Sequence, residues 1–243
     1  MSLRKWSGIL LREVFDQGEF SEKYWRPTMS DAAITSEIPT MFRLIRPLIL
    51  ASNSPRRRGL LKAMGIACEV VSPPEWAEPL PLAGETPERF AARAAKAKAD
   101  AVYAAFENKD VAVLGADTVV FRGARILGKP ADTNSAFAFL HELAGDTHLV
   151  RTACHLRIGH DKGVSFHGEA RVSMGKWSDE ALHAYAMTGE GLDKAGAYAV
   201  QGLGAFLVES LSGSWSAVVG LPIAETVGVL LEQGIIEVVL SGK

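Results

Sequence analysis

Four apolar residues, Leu48-Ile49-Leu50-Ala51, run straight into the small-residue turn Ser52-Asn53-Ser54, then into Pro55 and three arginines, Arg56, Arg57 and Arg58. The short apolar run predicts a buried strand, and the turn predicts a helix start. Ser54 suits the N-cap and Pro55 the first helical position. Leu60, Leu61 and Met64 recur on one helical face, and Gly65 supplies a stop. Similar switches of period continue downstream. A strand is expected over 68–72, a loop rich in Pro and Glu over 73–84, and a long helix over 87–106 capped by Thr86. A buried strand is expected over 111–120 and a helix over 132–143, ended by Gly145-Asp146. Two apolar runs, 149–159 and 164–174, predict a hairpin across 160–163. Ser178 is expected to cap a helix over 179–187. A Gly-rich loop then leads to an expected strand over 198–208, and 222–233 predicts a last helix. Hairpins among strand–helix units predict a mixed sheet with flanking helices, not a purely parallel one.

Residues 1–43 break this pattern. Aromatic, charged and turn residues mix there without sustained periodicity, and Met29 and Met41 offer alternative starts. This stretch is expected to be an extension, partly helical over 9–14 and with no assignable chemistry, ahead of one domain over 44–243. No internal repeat or low-complexity tract occurs.

Composition narrows the function classes. The 243 residues are 48% hydrophobic with a mean hydropathy of +0.10, which suits a soluble domain able to bury a sizeable core. The formal net charge of −2 provides no global field for nucleic acid or an anionic membrane, so any polyanion site must be local. Cys68 and Cys154 lie in apolar runs without metal-ligand spacing and read as reduced residues of a cytoplasmic protein. No stretch is apolar enough to span a bilayer, and the N-terminus lacks the marks of a signal peptide.

The candidate chemistry is scattered. Free N–H groups at the helix start beside Arg56–Arg58 could hold a phosphate, or could be an ordinary strand–helix junction with solvated arginines. The run Gly123-Ala-Arg-Ile-Leu-Gly128-Lys129 nearly matches a phosphate loop, but Pro130 stands where a magnesium-binding Ser or Thr is required. Lys129 remains a candidate because Gly128 and Pro130 define its turn. Asp117 lies in an apolar strand, where a carboxylate is costly unless paired, hydrogen-bonded or bound to metal. Glu78 is one of several acidic residues near it in pattern, with Glu75, Glu85 and Glu88. Lys96 and Lys98 alternate with alanines that keep one side of their helix slim. Gln201, followed by Gly202 and Gly204, has an amide able to donate to and accept from a nucleobase edge. The six histidines lack metal spacing. Neither a Ser-His-Asp set nor a nucleophile elbow at Gly213-Ser-Trp-Ser216 can be composed.

In combination, these segments resemble the Maf family of nucleoside triphosphate pyrophosphatases. The pieces stand in order across residues 44–236. They are Leu48-Ile-Leu-Ala-Ser-Asn-Ser-Pro-Arg-Arg57, Gly115-Ala-Asp-Thr118, Leu127-Gly-Lys-Pro130, Thr147-His-Leu-Val150, Asp193-Lys-Ala-Gly-Ala-Tyr-Ala-Val-Gln-Gly202 and Val219-Gly-Leu-Pro222. The resemblance implies an elongated, two-lobed mixed α/β fold of the inosine-triphosphatase type with a central cleft. It also implies cleavage of a nucleoside triphosphate to monophosphate and pyrophosphate with a divalent cation, Mg, Mn or Co. Carried over by position, Ser52, Arg56, Arg57, Lys98 and Lys129 would hold the triphosphate and Gln201 the base. Glu78 and Asp117 would hold the metal, with Asp117, Lys129 and Arg56 carrying the chemistry. Arg at position 56 and Gly-Ala-Asp-Thr at the strand resemble the branch acting on dTTP and UTP; a sister branch acting on methylated GTP tends to an aromatic residue at position 56. A house-cleaning role and a homodimer follow as expectations, without nucleic acid or membrane partners. The alternatives are a nucleotide-binding regulator of septum formation and a pyrophosphatase for a modified purine nucleotide. The chain departs from the pattern at Trp215, Ala217, Ala97 and Trp76-Ala77-Glu78.

Overall fold

The longest apolar runs become the longest strands. A computed structural model describes residues 41–106, 110–159 and 162–239. Within it β1 (Phe42–Leu44) and β2 (Leu48–Ala51) precede α1 (Pro55–Ala63) and β3 (Glu69–Val71). The long helix α2 (Pro87–Ala104) leads to β4 (Ala112–Arg122), β5 (Arg125–Leu127) and α3 (Thr133–Leu143). The hairpin β6 (Thr147–Ile158) and β7 (Lys162–Met174) follows, then α4 (Asp179–Met187), β8 (Val208–Gly213), α5 (Trp215–Val219), α6 (Ile223–Glu232) and β9 (Ile236–Val238). The helix expected over 9–14 lies outside the described residues.

The main sheet has seven strands in the order β3-β2-β4-β6-β7-β8, with β5 also paired to β4. β2 runs parallel to β3 and β4, and the other pairs are antiparallel, so the sheet is mixed as expected. β1 and β9 form a separate antiparallel pair. The helix ends follow the capping signals at Thr86 and Ser178, and Asp132 and Ser214 cap α3 and α5 in the same way, each accepting a hydrogen bond from the backbone three residues on. Ser54 does not. Its side chain caps nothing, and its own N–H donates to Ser52 Oγ at 3.1 Å, so Ser52 stabilises the turn instead.

The strand expected over 198–208 is not formed. Two 3₁₀ turns, Ala195–Ala197 and Gly202–Leu207, take its place, and the strand begins only at Val208. Gly196 and Gly202 have φ of 73° and 74°, incompatible with extended backbone. The N–H groups of Ala199, Leu203 and Gly204, which a ladder would use, donate instead to Tyr185 and Glu190.

One irregularity in the sheet organises the rest. β2 pairs with β4 up to Ala51 opposite Gly115, and β5 pairs with it from Leu127 opposite Val120. Residues 116–119 therefore have a strand neighbour only on the β6 side. Both faces of β4 turn polar at this interval. On one face, Ala112, Leu114 and Ala116 join a cluster with Leu61, Leu156 and Leu230, while Val120 joins a second cluster with Leu140, Val150 and Leu182. Thr118 and its cross-strand partner Thr152 lie between the two, with hydroxyls 2.7 Å apart. On the other face, α2 covers Val113 with Ala99 and Val102, and covers Val119 and Phe121 with Ala91 and Ala95. Asp117 stands between those groups. Two apolar lobes thus share one sheet and meet at a polar waist.

Candidate active site

Arg57 is the centre of the waist. It lies on the first turn of α1, which starts where β2 stops. Its Nε donates to the Gly220 carbonyl at 2.7 Å, Nη1 to Ser52 Oγ at 3.0 Å and Nη2 to Thr118 Oγ1 at 3.1 Å. Thr118 is held in turn by Thr152, which donates to the Ala217 carbonyl at 2.6 Å. The neighbouring Ser52 turn and three distant segments, β4, β6 and the end of α5 from Ala217 to Gly220, therefore orient one guanidinium. Its three acceptors are all neutral. Burial draws its pKa below the ordinary arginine value, a loss that the nearby Asp117 charge partly opposes. A partly buried cation on neutral acceptors is under-compensated, and an incoming anion would relieve it.

Behind it, Asp117 points to the α2 face of the sheet. Lys98, 5% exposed, places its Nζ 2.7 Å from Asp117 Oδ1 and 2.9 Å from Glu78 Oε2. The small-residue face of α2 permits this approach. A Cβ added to Gly115 would stand 2.8 Å from Ala99 N and closer still to the Ala95 carbonyl, so α2 lies almost on the backbone of β4. Glu78 follows the short 3₁₀ turn Glu75–Ala77 and its side chain is about half exposed. Of the acidic residues competing in that region, Glu85 is instead tied to Arg93 at 2.6 Å, which lowers its pKa to about 2.

Arg56 is one position round the helix and less confined. It pairs with Asp193 at 3.2 Å, and Asp193 also accepts from Lys194 at 2.5 Å. Burial raises the Asp193 pKa, but its bonds and attraction to Lys194 and Arg56 outweigh that and leave it lowered. Arg58 is exposed. Lys129 follows β5 on the far side of the interruption; extending the register of Leu127 opposite Val120 brings it level with Thr118. Its side chain is exposed, as is that of Gln201, and neither makes a hydrogen bond or ion pair among the described residues. The site residues form two bonded groups, Ser52 with Arg57 and Thr118, and Glu78 and Asp117 with Lys98, meeting at the adjacent residues Asp117 and Thr118 of β4. Arg56 pairs separately with Asp193, and Lys129 and Gln201 stand apart. Thr118, Thr152, Asp193 and the Gly220 carbonyl were missed as contributors. Thr118 and Asp193 lay within the motif runs, but only the tertiary contacts reveal their work.

The donor chemistry suits a hard divalent cation. Two carboxylates converge on a point now held by the Lys98 ammonium, and Mg²⁺ commonly takes only one or two carboxylates besides substrate phosphates. Among the described residues, no three His, Cys, Asp or Glu side chains could hold a metal by themselves.

Fold and site together define an α/β protein with a cation-rich site at the interruption of a mixed sheet. Residues 47–233 match the family described as Maf-like protein, and the chain belongs to that family. A dTTP/UTP pyrophosphatase of Nitratidesulfovibrio vulgaris is 50% identical over 195 residues, covering 80% of this chain and 91% of that protein. Proteins of the same description from Oleidesulfovibrio alaskensis and Desulfotalea psychrophila are 44% identical over 192 residues and 41% over 201. They cover 78% and 82% of this chain, and 86% and 100% of their own lengths. A solved nucleoside-triphosphatase (dITP/XTP pyrophosphatase) of Mycobacterium abscessus overlaps with a TM-score of 0.33 at 19% identity, covering 53% of this chain and 72% of that one, too little to argue from.

Proposed function

We propose that this protein hydrolyses dTTP and UTP to the monophosphate and pyrophosphate in the cytoplasm, with a divalent cation, removing unwanted pyrimidine nucleotides. The relatives described as dTTP/UTP pyrophosphatases support the substrate, and one observation supports the site: the partly buried Arg57 guanidinium, satisfied only by neutral acceptors, at the break in the sheet. A triphosphate carries about four negative charges, and a guanidinium can hold its oxygens bidentately. Arg57 receives the phosphates from the inner wall. Arg56 exchanges Asp193 for them, and Lys129 approaches from the β5 side. Gln201 contacts the base.

Glu78 and Asp117 would hold the cation, which when bound would offset charge building on the leaving pyrophosphate. Water attacks the α-phosphorus, and its bond to the bridging oxygen breaks as the pyrophosphate leaves. Lys98 donates to Asp117 Oδ1 and so orients the carboxylate that takes the proton of the attacking water. Arg57 and Arg56 stabilise the equatorial charge, the main work in phosphoryl transfer.

Pyrophosphate release from a panel of canonical and modified nucleoside triphosphates with Mg, Mn and Co tests this. UTP and dTTP should lead, and Asp117→Asn should cut turnover by about a thousandfold. Tight nucleotide binding without turnover under any of the metals would sink the proposal and favour a regulatory nucleotide-binding protein.

A further inference from the structure

Gln201 occupies the N-cap position of the 3₁₀ turn Gly202–Leu207, yet its side chain caps nothing. The N–H groups two and three residues on, at Leu203 and Gly204, call for an acceptor, and the side chains that cap well are the shorter Ser, Thr, Asp and Asn. Those donors are already taken. Glu190, from the loop after α4, accepts from Leu203 N at 2.9 Å through Oε1 and from Gly204 N at 2.8 Å through Oε2. The Tyr185 hydroxyl donates to the same Oε2 at 2.9 Å and accepts from Ala199 N at 3.2 Å. Backbone on both sides of Gln201 is therefore held by one tyrosine–carboxylate pair. Gly202 is required between them: its φ is 74°, and an added Cβ would run into Glu190 Oε1.

We propose that Glu190 is a positioning residue for substrate selection: by capping the turn that Gln201 opens, it fixes the backbone from which the Gln201 carboxamide reads the pyrimidine edge. This rests on the reading of Gln201 as the base contact. A charged acceptor on both amides holds the backbone from which Gln201 projects, and both halves of the carboxamide remain for the donor–acceptor pair of a uracil or thymine edge.

A double-mutant cycle on the full chain tests the assignment, with UTP and Mg and pyrophosphate release as the readout. Glu190→Gln should raise KM for UTP about tenfold while kcat stays within about twofold, because the lost interaction orients a binding group. Gln201→Ala should do the same, and the double variant should be no worse than Gln201→Ala alone. Multiplying penalties, or a fall in kcat with KM unchanged, would overturn the assignment. Should Glu190→Gln fail to give a cooperative melt, Tyr185→Phe replaces it in the cycle. It should raise KM about threefold, and only while Gln201 is present. A threefold rise that persists in the Gln201→Ala background would also overturn it. Wild-type protein inert toward UTP would overturn the proposed function itself, whereas wild-type turnover with additive variants would overturn only the role of Glu190.

Discussion

Three consecutive arginines have three different environments, and the separation between them follows from where α1 begins. Arg57 faces the waist and spends its donors on Ser52, Thr118 and Gly220; Arg56 reaches Asp193; Arg58 stays exposed. Arg57→Lys keeps a charge but loses the planar fork, and pyrophosphate release should fall about a hundredfold. Arg58→Ala should change it by no more than about twofold. Equal losses from the two substitutions would contradict this division. The residue identities at the site were largely legible in the sequence because motif runs place Ser52, Arg57 and Asp117 together by name. What joins them was not. Thr152 and the Ala217 carbonyl carry no chemical signal in the chain, and Gly220, though inside a motif run, shows nothing of its carbonyl's task; they act through contacts across more than sixty residues.

Elements with strong periodicity and clear caps were readable: β2, α1, α2, β4, α3, the β6–β7 hairpin, α4 and α6 lie within a few residues of expectation. The failure at 198–208 has a specific origin. Tyr198, Val200, Phe206 and Val208 give that run the look of a strand, but Glu190 and Tyr185 claim its amides and Gly202 turns it left-handed. Side chains distant in sequence thus overrode local preference. The short strands β1, β5 and β9 are three residues each, too brief for alternation to register. At the scale of the helix, α2 depends on Gly115. Gly115→Ala forces α2 away from β4 through the Ala95 carbonyl and Ala99 N–H, and should lower unfolding free energy by about 1–3 kcal/mol in urea titration. It should also weaken catalysis, since Lys98 moves with the helix. Unchanged stability would mean that the sheet and helix are more loosely packed than their contact implies.

Across the whole molecule, the far lobe contains a titrating group that has no part in the site. His148 is 2% exposed and bonded through Nε2 to the Tyr198 hydroxyl at 2.8 Å. Burial lowers its pKa from 6.5 to about 4, with Asp146 opposing weakly. The unfolded chain therefore binds a proton at His148 well before the folded protein does. Stability should be full above pH 6.5 and decline as the pH falls toward 4, by about 3 kcal/mol from this residue at the lower end. Urea midpoints across that range should flatten in His148→Leu relative to wild type; parallel slopes would remove His148 as the cause. The interruption of the sheet has a further consequence, for solubility. Residues 116–119 present one side of a central strand without a neighbour, and an open edge of this kind invites pairing with another chain. The charges of Arg57, Asp117 and Lys98 stand at that opening and discourage an intruding strand. The groups proposed to receive a nucleotide would thus also guard against aggregation, so neutralising several of them together carries a hazard separate from lost catalysis.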